Sequence, residues 1–221
     1  MNFLNNTNLA ILIPALNESK TIGTVVQNAL TIGIPIVIDD CSSDNTVEIA
    51  KKNGAQVLEL SFNHGYEGAL CAGFDLAISK QFEFVLTMDA DGQHSIESAN
   101  LVISSMLPDI DIVIGTRIHK QRFLENIGGW IGSILWKVHD PFSGLKLYRL
   151  NTCKNVCSFD NNKLAGTEMM VKCYKMNLNL LTIDIITISR IDNSRYGSGI
   201  LINYKLFKIL LKLIRIHFKN N

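Results

Sequence analysis

Short apolar runs rich in Ile and Val recur along the chain with helix-length stretches between them, and no other feature constrains the fold as strongly. Residues 9–13, 34–38, 56–60, 82–88 and 110–115 read as strands. Near-continuous apolar runs of that length belong to strands covered on both faces, the habit of parallel sheets. The intervening stretches read as helices: one capped by Asn17 or Ser19 and running to about Leu30, then 44–53, 65–80 and 96–107. Alternation of this kind predicts an α/β fold with an open, mostly parallel sheet and helices on both faces. Past residue 116 the order loosens into a Gly and Trp segment at 128–136, an Asp-Pro-Phe-Ser-Gly turn at 140–144 and a strand ending at Arg149. A helix at 167–176, a strand at 180–189 and a last helix over about 200–218 follow.

In open α/β sheets ligands sit beyond the carboxyl ends of the strands. The polar clusters of this chain fall there: Asn17 and Glu18, Asp39 and Asp40, residues 63–65, residues 89–94, and Arg117. Asp89 and Asp91 follow a strand directly. With Gln93 or His94 nearby, their hard anionic oxygens suit a divalent ion such as Mg²⁺ or Mn²⁺ that keeps most of its waters and bridges phosphate oxygens. An aspartyl-nucleophile phosphatase would carry a hydroxyl residue two beyond Asp91, where Gln93 stands. A dinucleotide-binding fold would carry GxGxxG after the first strand, where Pro14-Ala15-Leu16-Asn17-Glu18 has no glycine. Asp39 or Asp40 can accept hydrogen bonds from a base or ribose, and Asp44 reads as a helix cap. Gly65 and Gly68 open a helix whose backbone donors suit an anion.

Together these stretches resemble the family 2 glycosyltransferases of the GT-A fold, and within them the dolichol-phosphate mannose synthase and polyprenyl-phosphate sugar transferase branch. The resemblance rests on ILIPALNE at 11–18, VIDDCSSDNT at 37–46, NHGYEGAL at 63–70, TMDADGQH at 87–94, IGTR at 114–117, DPFSGL at 140–145 and SRYGS at 194–198. It implies that Pro14, Ala15, Asn17, Glu18, Asp39 and Asp40 hold the nucleoside of a nucleotide diphosphate sugar. Asp89, Asp91 and Gln93 become the metal and diphosphate site, Arg117 a contact to acceptor or transferred phosphate, and Arg195 an arginine that neutralises the leaving diphosphate. Transfer with inversion to an alcohol needs a carboxylate base, for which Asp140 and Glu168 are the candidates; a lipid-phosphate acceptor is already anionic and needs none. Two departures stand out: Cys41 replaces a usual Gly, and Glu67 occupies a position where a small residue is common.

Charge and length shape the remaining expectations. With 221 residues and a 47% hydrophobic composition, the chain suits one globular domain. The expected layout is a nucleotide-binding half over about 9–116, an acceptor half over about 117–199 and a C-terminal helix over 200–221. Residues 193–221 hold six Lys and Arg and no acid, leaving 15 bases against 20 acids in the rest. Lys205, Lys208, Lys212, Arg215 and Lys219 form one stripe of an amphipathic helix, which can lie on an anionic membrane or dock on the core. Trp130 and Trp136 fit either interfacial anchors or core. Five scattered cysteines without a CxxC pair, and no signal-like start, predict buried free thiols in a cytoplasmic protein peripheral to the inner face of the membrane. A membrane-associated acceptor, polyprenyl phosphate before a growing glycan, is the expected partner, with no nucleic acid. The alternatives are a saccharide-hydroxyl transferase of polysaccharide assembly and a catalytically silent nucleotide-binding membrane module.

Overall fold

The computed structural model describes residues 7–118, 123–157, 166–188 and 200–219. The first half alternates as read: β1 (Leu9–Ala15), α1 (Ile22–Leu30), β2 (Ile34–Asp39), α2 (Thr46–Lys52), β3 (Gln56–Glu59), α3 (Gly65–Ser79), β4 (Phe84–Thr87), α4 (Ile96–Ser104) and β5 (Ile112–Arg117). After these come α5 (Phe123–Trp136), β6 (Lys146–Arg149), α6 (Leu150–Cys157), α7 (Thr167–Lys175), β7 (Leu180–Ile185) and α8 (Ile200–Phe218).

The strands form one seven-stranded sheet in the order β3-β2-β1-β4-β6-β5-β7. All neighbours are parallel except β6, which runs antiparallel to β4 and β5. Its register pairs Lys146 with Thr87 on one side and Ile114 on the other. Because β6 runs backwards, its first residue arrives at the carboxyl ends of β4 and β5, where the site residues emerge.

Both faces of the sheet are covered, as its apolar runs require. Alternate residues of the same strand feed different cores: Ala10, Leu12, Ile36 and Ile38 pack with Phe74, Tyr148 and Met170 on one face. Leu9, Ile11, Ile13 and Val37 pack with Val26, Ala99 and Val102 on the other. Each fully buried side chain of this size contributes about 1.5–3 kcal/mol.

Three expectations need amendment. Helix α1 starts at Ile22, later than its polar lead-in suggested, because the Glu18 carbonyl accepts from the nitrogens of Thr21 and Ile22 in a preceding turn. The Gly and Trp segment is part of a 14-residue helix. Its glycines cost helix propensity but leave a notch: a Cβ on Gly128 would lie 2.2 Å from the Phe142 ring, and one on Gly132 would lie 2.5 Å from the Val138 carbonyl. The cysteines divide: Cys153 and Cys173 are buried free thiols, whereas Cys41 is exposed and Cys71 half-buried.

Helix α8 docks on the core through Leu210 and Leu213, both buried, and packs against α5 and α7. Trp136 is buried and donates from Nε1 to His217 Nδ1 at 3.2 Å, while Trp130 is exposed. Lys175 Nζ caps the helix end, donating to the carbonyls of Ile216 and Lys219 at 3.1 and 2.6 Å. The outward side of α8 carries Phe207, Lys208, Leu211 and Arg215, all exposed. Among the described residues no helix is long and apolar enough to cross a membrane.

Candidate active site

The end expected to hold the nucleoside is a pair of stitched loops. Asn17 has φ 52° and Cys41 φ 69°, left-handed conformations in which each loop folds back on itself. Cys41 therefore occupies a turn that glycine would adopt without strain. The Asn17 nitrogen donates to Ser42 Oγ at 2.8 Å, and the Ser43 nitrogen to Asn17 Oδ1 at 2.7 Å. The Glu18 nitrogen donates to Thr46 Oγ1 at 2.7 Å, and Thr21 Oγ1 donates to the Glu18 carboxylate at 3.0 Å. Pro14 and Ala15 end β1 beside Ile38 and Asp39 of β2. Asn17 and Glu18 thus build the wall of this end.

The two aspartates that close β2 separate in role. Asp39 Oδ2 accepts from the Ser42 nitrogen at 3.0 Å, while its Oδ1 is buried and has no hydrogen-bond partner among the described residues. Asp40 accepts from the nitrogens of His64 and Gly65 at 2.6 and 2.8 Å. The helix start at Gly65 does bind an anion, but the anion is the protein's own Asp40. Its first donors are therefore spent on the fold and are not open to a diphosphate, a correction to the reading of Gly65. Gly68 is buried one turn on, where a Cβ would lie 2.6 Å from the His64 Cβ.

The turn after β4 is gripped from three sides. Tyr66 OH donates to Asp89 Oδ1 at 3.0 Å, and His94 Nε2 lies 3.2 Å from Asp89 Oδ2. A Cβ at Gly144 would come within 2.2 Å of the same carboxylate. Burial opposes the Asp89 charge, yet the hydrogen bonds from His94 and Tyr66 and the charge of Arg117 hold its carboxyl below the usual range. Burial, with the charges of Asp89 and Glu67, keeps the Tyr66 hydroxyl well above its ordinary value, so Tyr66 remains a donor. Asp91, nearly buried, accepts from the Gln93 nitrogen at 3.0 Å across Gly92, and the Gln93 carbonyl accepts from Ile188 at 2.9 Å.

Arg117 and Asp140 form a two-pronged pair: Nε donates to Oδ2 at 2.7 Å and an Nη to Oδ1 at 3.0 Å. Glu125 approaches the guanidinium at 3.4 Å. Burial opposes the Arg117 charge, but Asp140 and then Glu125 and Asp89 raise its pKa above the ordinary value. Asp140 has no exposed surface, and both of its oxygens receive Arg117. Buried and with both oxygens engaged by the guanidinium, Asp140 is poorly placed for the base role read from sequence. Glu168, 4% exposed at the start of α7, pairs through Oε1 with Lys212 of α8, and its Oε2 has no partner among the described residues. Arg195 lies outside the described residues.

Lys146 was not singled out by sequence. It is 2% exposed, and its ammonium donates to the Ser143 carbonyl. Burial pushes it down to about 8 against the pull of Glu67, Asp140 and Asp89. The Asp140–Gly144 turn that Lys146 secures also carries Asp140 to Arg117 and Gly144 to Asp89. Tyr66 has no role in the sequence reading, which offers His94 as an alternative to Gln93 beside the ion; the structure sets both side chains against the Asp89 carboxylate.

The donor set fits a divalent cation. Asp89 and Asp91 supply hard anionic oxygens and Gln93 a neutral one, and the surrounding carboxylates Glu67, Glu125 and Asp140 outnumber Arg117 and Lys146. Among the described residues no set of three His, Cys, Asp or Glu side chains forms a closed metal cage. An ion here would take further ligands from phosphate and water.

Comparison with known proteins agrees with this geometry. The family described as Glycosyl transferase family 2 matches residues 10–159. The UDP-N-acetylglucosamine–dolichyl-phosphate N-acetylglucosaminyltransferase of Methanococcus voltae is 28% identical, over 92% of this chain and 94% of its own. The dolichyl-phosphate hexose transferase of Haloferax volcanii is 25% identical, over 92% and 94%. The Mycobacterium tuberculosis glucosyl-3-phosphoglycerate synthase, in a crystal with Mn²⁺, uridine diphosphate and glucosyl-3-phosphoglycerate, superposes with a TM-score of 0.75. That match covers 96% of this chain and 80% of the synthase at 16% identity, a likeness of fold. The seven-stranded sheet with its reversed β6, the paired aspartates at the end of β4 and a family match over residues 10–159 place this chain in glycosyl transferase family 2.

Proposed function

We propose that this glycosyltransferase moves a sugar from a nucleotide diphosphate sugar to the phosphate of a polyprenyl lipid at a membrane surface, with inversion and with a divalent cation. One observation carries the reading: the Asp89–Asp91 turn and Arg117 emerge at the carboxyl ends of β4 and β5, near enough for the Arg117 charge to act on Asp89, so that an acidic turn suited to a metal-bound diphosphate lies near a guanidinium suited to a second phosphate. The dolichyl-phosphate names of two relatives that span over nine-tenths of the chain support the acceptor.

Each residue then has a task. Asp39 Oδ1, buried without a partner, accepts from a base N–H. Asp89 and Asp91, with Gln93, hold the cation, which when bound neutralises charge that builds on the departing diphosphate. An acceptor phosphate oxygen attacks the anomeric carbon from the face opposite the nucleotide. The carbon–oxygen bond to the diphosphate breaks, and its electron pair leaves with the nucleoside diphosphate. Arg117, oriented by Asp140, positions the acceptor phosphate. No base is needed, since the attacking oxygen is already anionic. We place the protein at the cytoplasmic face of an anionic membrane, contacted through the outer side of α8.

Purified protein given a panel of sugar nucleotides, Mn²⁺ or Mg²⁺ and a short polyprenyl phosphate in detergent is expected to release nucleoside diphosphate and form lipid-linked sugar. Nucleoside diphosphate release only with oligosaccharide acceptors would favour transfer to a saccharide hydroxyl, with Glu168 as base once freed from Lys212. If no donor binds or turns over, the enzyme reading is wrong.

A further inference from the structure

Glu67 is the acid of the first α3 turn, half-buried, and it lies on the carboxyl side of the sheet. Its carboxylate rests against the backbone of Gly166 at the start of α7, where an added Cβ would stand 3.1 and 3.2 Å from its two oxygens. Gly166 has φ 60° and lends its carbonyl to Tyr148 OH at 3.2 Å, so this approach of α7 to α3 is anchored from the sheet. The neighbouring Tyr66 holds Asp89 at 3.0 Å. Glu67 is also the foremost of the carboxylates that support the buried Lys146 charge.

These contacts bound a definite space. A sugar carried on a diphosphate held at Asp89 and Asp91 lies within one ring of that turn. Among the described residues, the walls beside Asp89 are the α3 start, the Gly144 turn lying on Asp89, and the α7 start at Gly166. Two of those walls present glycine backbone; Glu67 stands at the α3 start, while the carboxylate of the α7 start, Glu168, is paired with Lys212. A carboxylate can take two hydrogen bonds from neighbouring ring hydroxyls, each strengthened by its charge. The same carboxylate repels a ring that bears its own, the unfavourable element that specificity commonly needs.

Resting on the glycosyl-transfer reading above, we propose that Glu67 is a specificity-determining residue for the donor sugar, accepting hydrogen bonds from the hydroxyls of a neutral hexose or N-acetylhexosamine and excluding uronic acids.

The test compares wild type, Glu67→Gln and Glu67→Gly with UDP-glucose, UDP-N-acetylglucosamine, GDP-mannose and UDP-glucuronate in the presence of Mn²⁺. Nucleoside diphosphate release gives kcat/KM, calorimetry gives the Kd of each donor and of UDP and GDP alone, and a thermal melt reports folding. Wild type is expected to prefer its best neutral donor over UDP-glucuronate by at least about 100-fold, and both variants to narrow that ratio by about tenfold or more. The Kd of the sugar-free nucleotide should stay unchanged. An unaltered ratio in both variants overturns the proposal and leaves the enzyme reading intact. So does a parallel loss of sugar-nucleotide and bare-nucleotide binding, the mark of a residue that merely balances Lys146. If wild type itself binds none of the donors, the glycosyl-transfer reading falls and this proposal falls with it.

Discussion

Residues 9–94 and the part of the chain that follows hold their strand-end residues by different forces. In residues 9–94 the loops are fixed mostly by hydrogen bonds from backbone N–H groups to side chains: Asn17 with Ser42 and Ser43, Glu18 with Thr46, and the Asp40 carboxylate capping the start of α3. Beyond residue 116 the fixing agents are ion pairs: Arg117 with Asp140 and Glu125, and Glu168 with Lys212, with Lys146 buried among carboxylates. Backbone-anchored loops keep their shape whatever is bound. Ion-paired groups can exchange a protein carboxylate for a ligand phosphate, which suits the acceptor role proposed for Arg117.

The contrast can be broken first at the metal side. Asp91→Ala should lower turnover by about 10³ or more while the melting temperature stays within a few degrees, because the turn keeps its backbone partners. Steady-state rates with Mn²⁺ and a thermal melt decide it. Where the halves touch, Gly144→Ala would force the Asp89 carboxylate aside; about a 100-fold loss in kcat/KM with a weaker metal dependence is expected. Asp140→Asn tests the ion-paired half. It leaves the Arg117 charge without its buried counter-ion and should cost about 2–3 kcal/mol in urea unfolding, below the full buried-pair figure because Arg117 keeps 19% of its side chain exposed.

Smaller effects sharpen the same contrast. The folded value of Lys146, about 8, lies below the ordinary 10.5, so between those values the unfolded chain carries the proton that the folded chain has lost. Lys146 therefore costs stability below about pH 8, and the cost fades as pH rises toward 10.5. The melting temperature of wild type relative to Lys146→Met should climb across that window. The smallest change in stability, within about 0.5 kcal/mol, is expected for Lys208→Glu with Arg215→Glu, both exposed on α8. Sedimentation with anionic vesicles should nonetheless fall several-fold. Unchanged sedimentation would show that α8 serves the core alone.

The same division explains what could be read from the sequence. Strands β1, β2, β4 and β5 were legible because burial on both faces writes itself as unbroken Ile and Val, and Asp89 and Asp91 because they follow one of these strands. The reversal of β6, and Lys146 at its head, depends on which strands accept it as a neighbour, which no local pattern encodes. Helix α5 was missed because glycines that local propensity forbids are wanted by Phe142 and Val138, residues later in the chain. The base candidates were chosen for residue type, whereas burial and pairing of Asp140 and Glu168 are properties of the packed molecule.

Consecutive strands β4 and β5 never touch, because β6 fills the slot between them. A nascent chain that has just delivered Arg117 thus has a first sheet whose β4 edge is an unpaired row of N–H and C=O groups, and a β5 with neither neighbour yet made. Until Lys146–Arg149 and Leu180–Ile185 follow, the apolar sides of both strands lie open to other chains. A fragment cut after β5 would keep the stitched loops of Asn17 and Cys41 and still be prone to aggregate, so this enzyme should resist division into separately expressed halves.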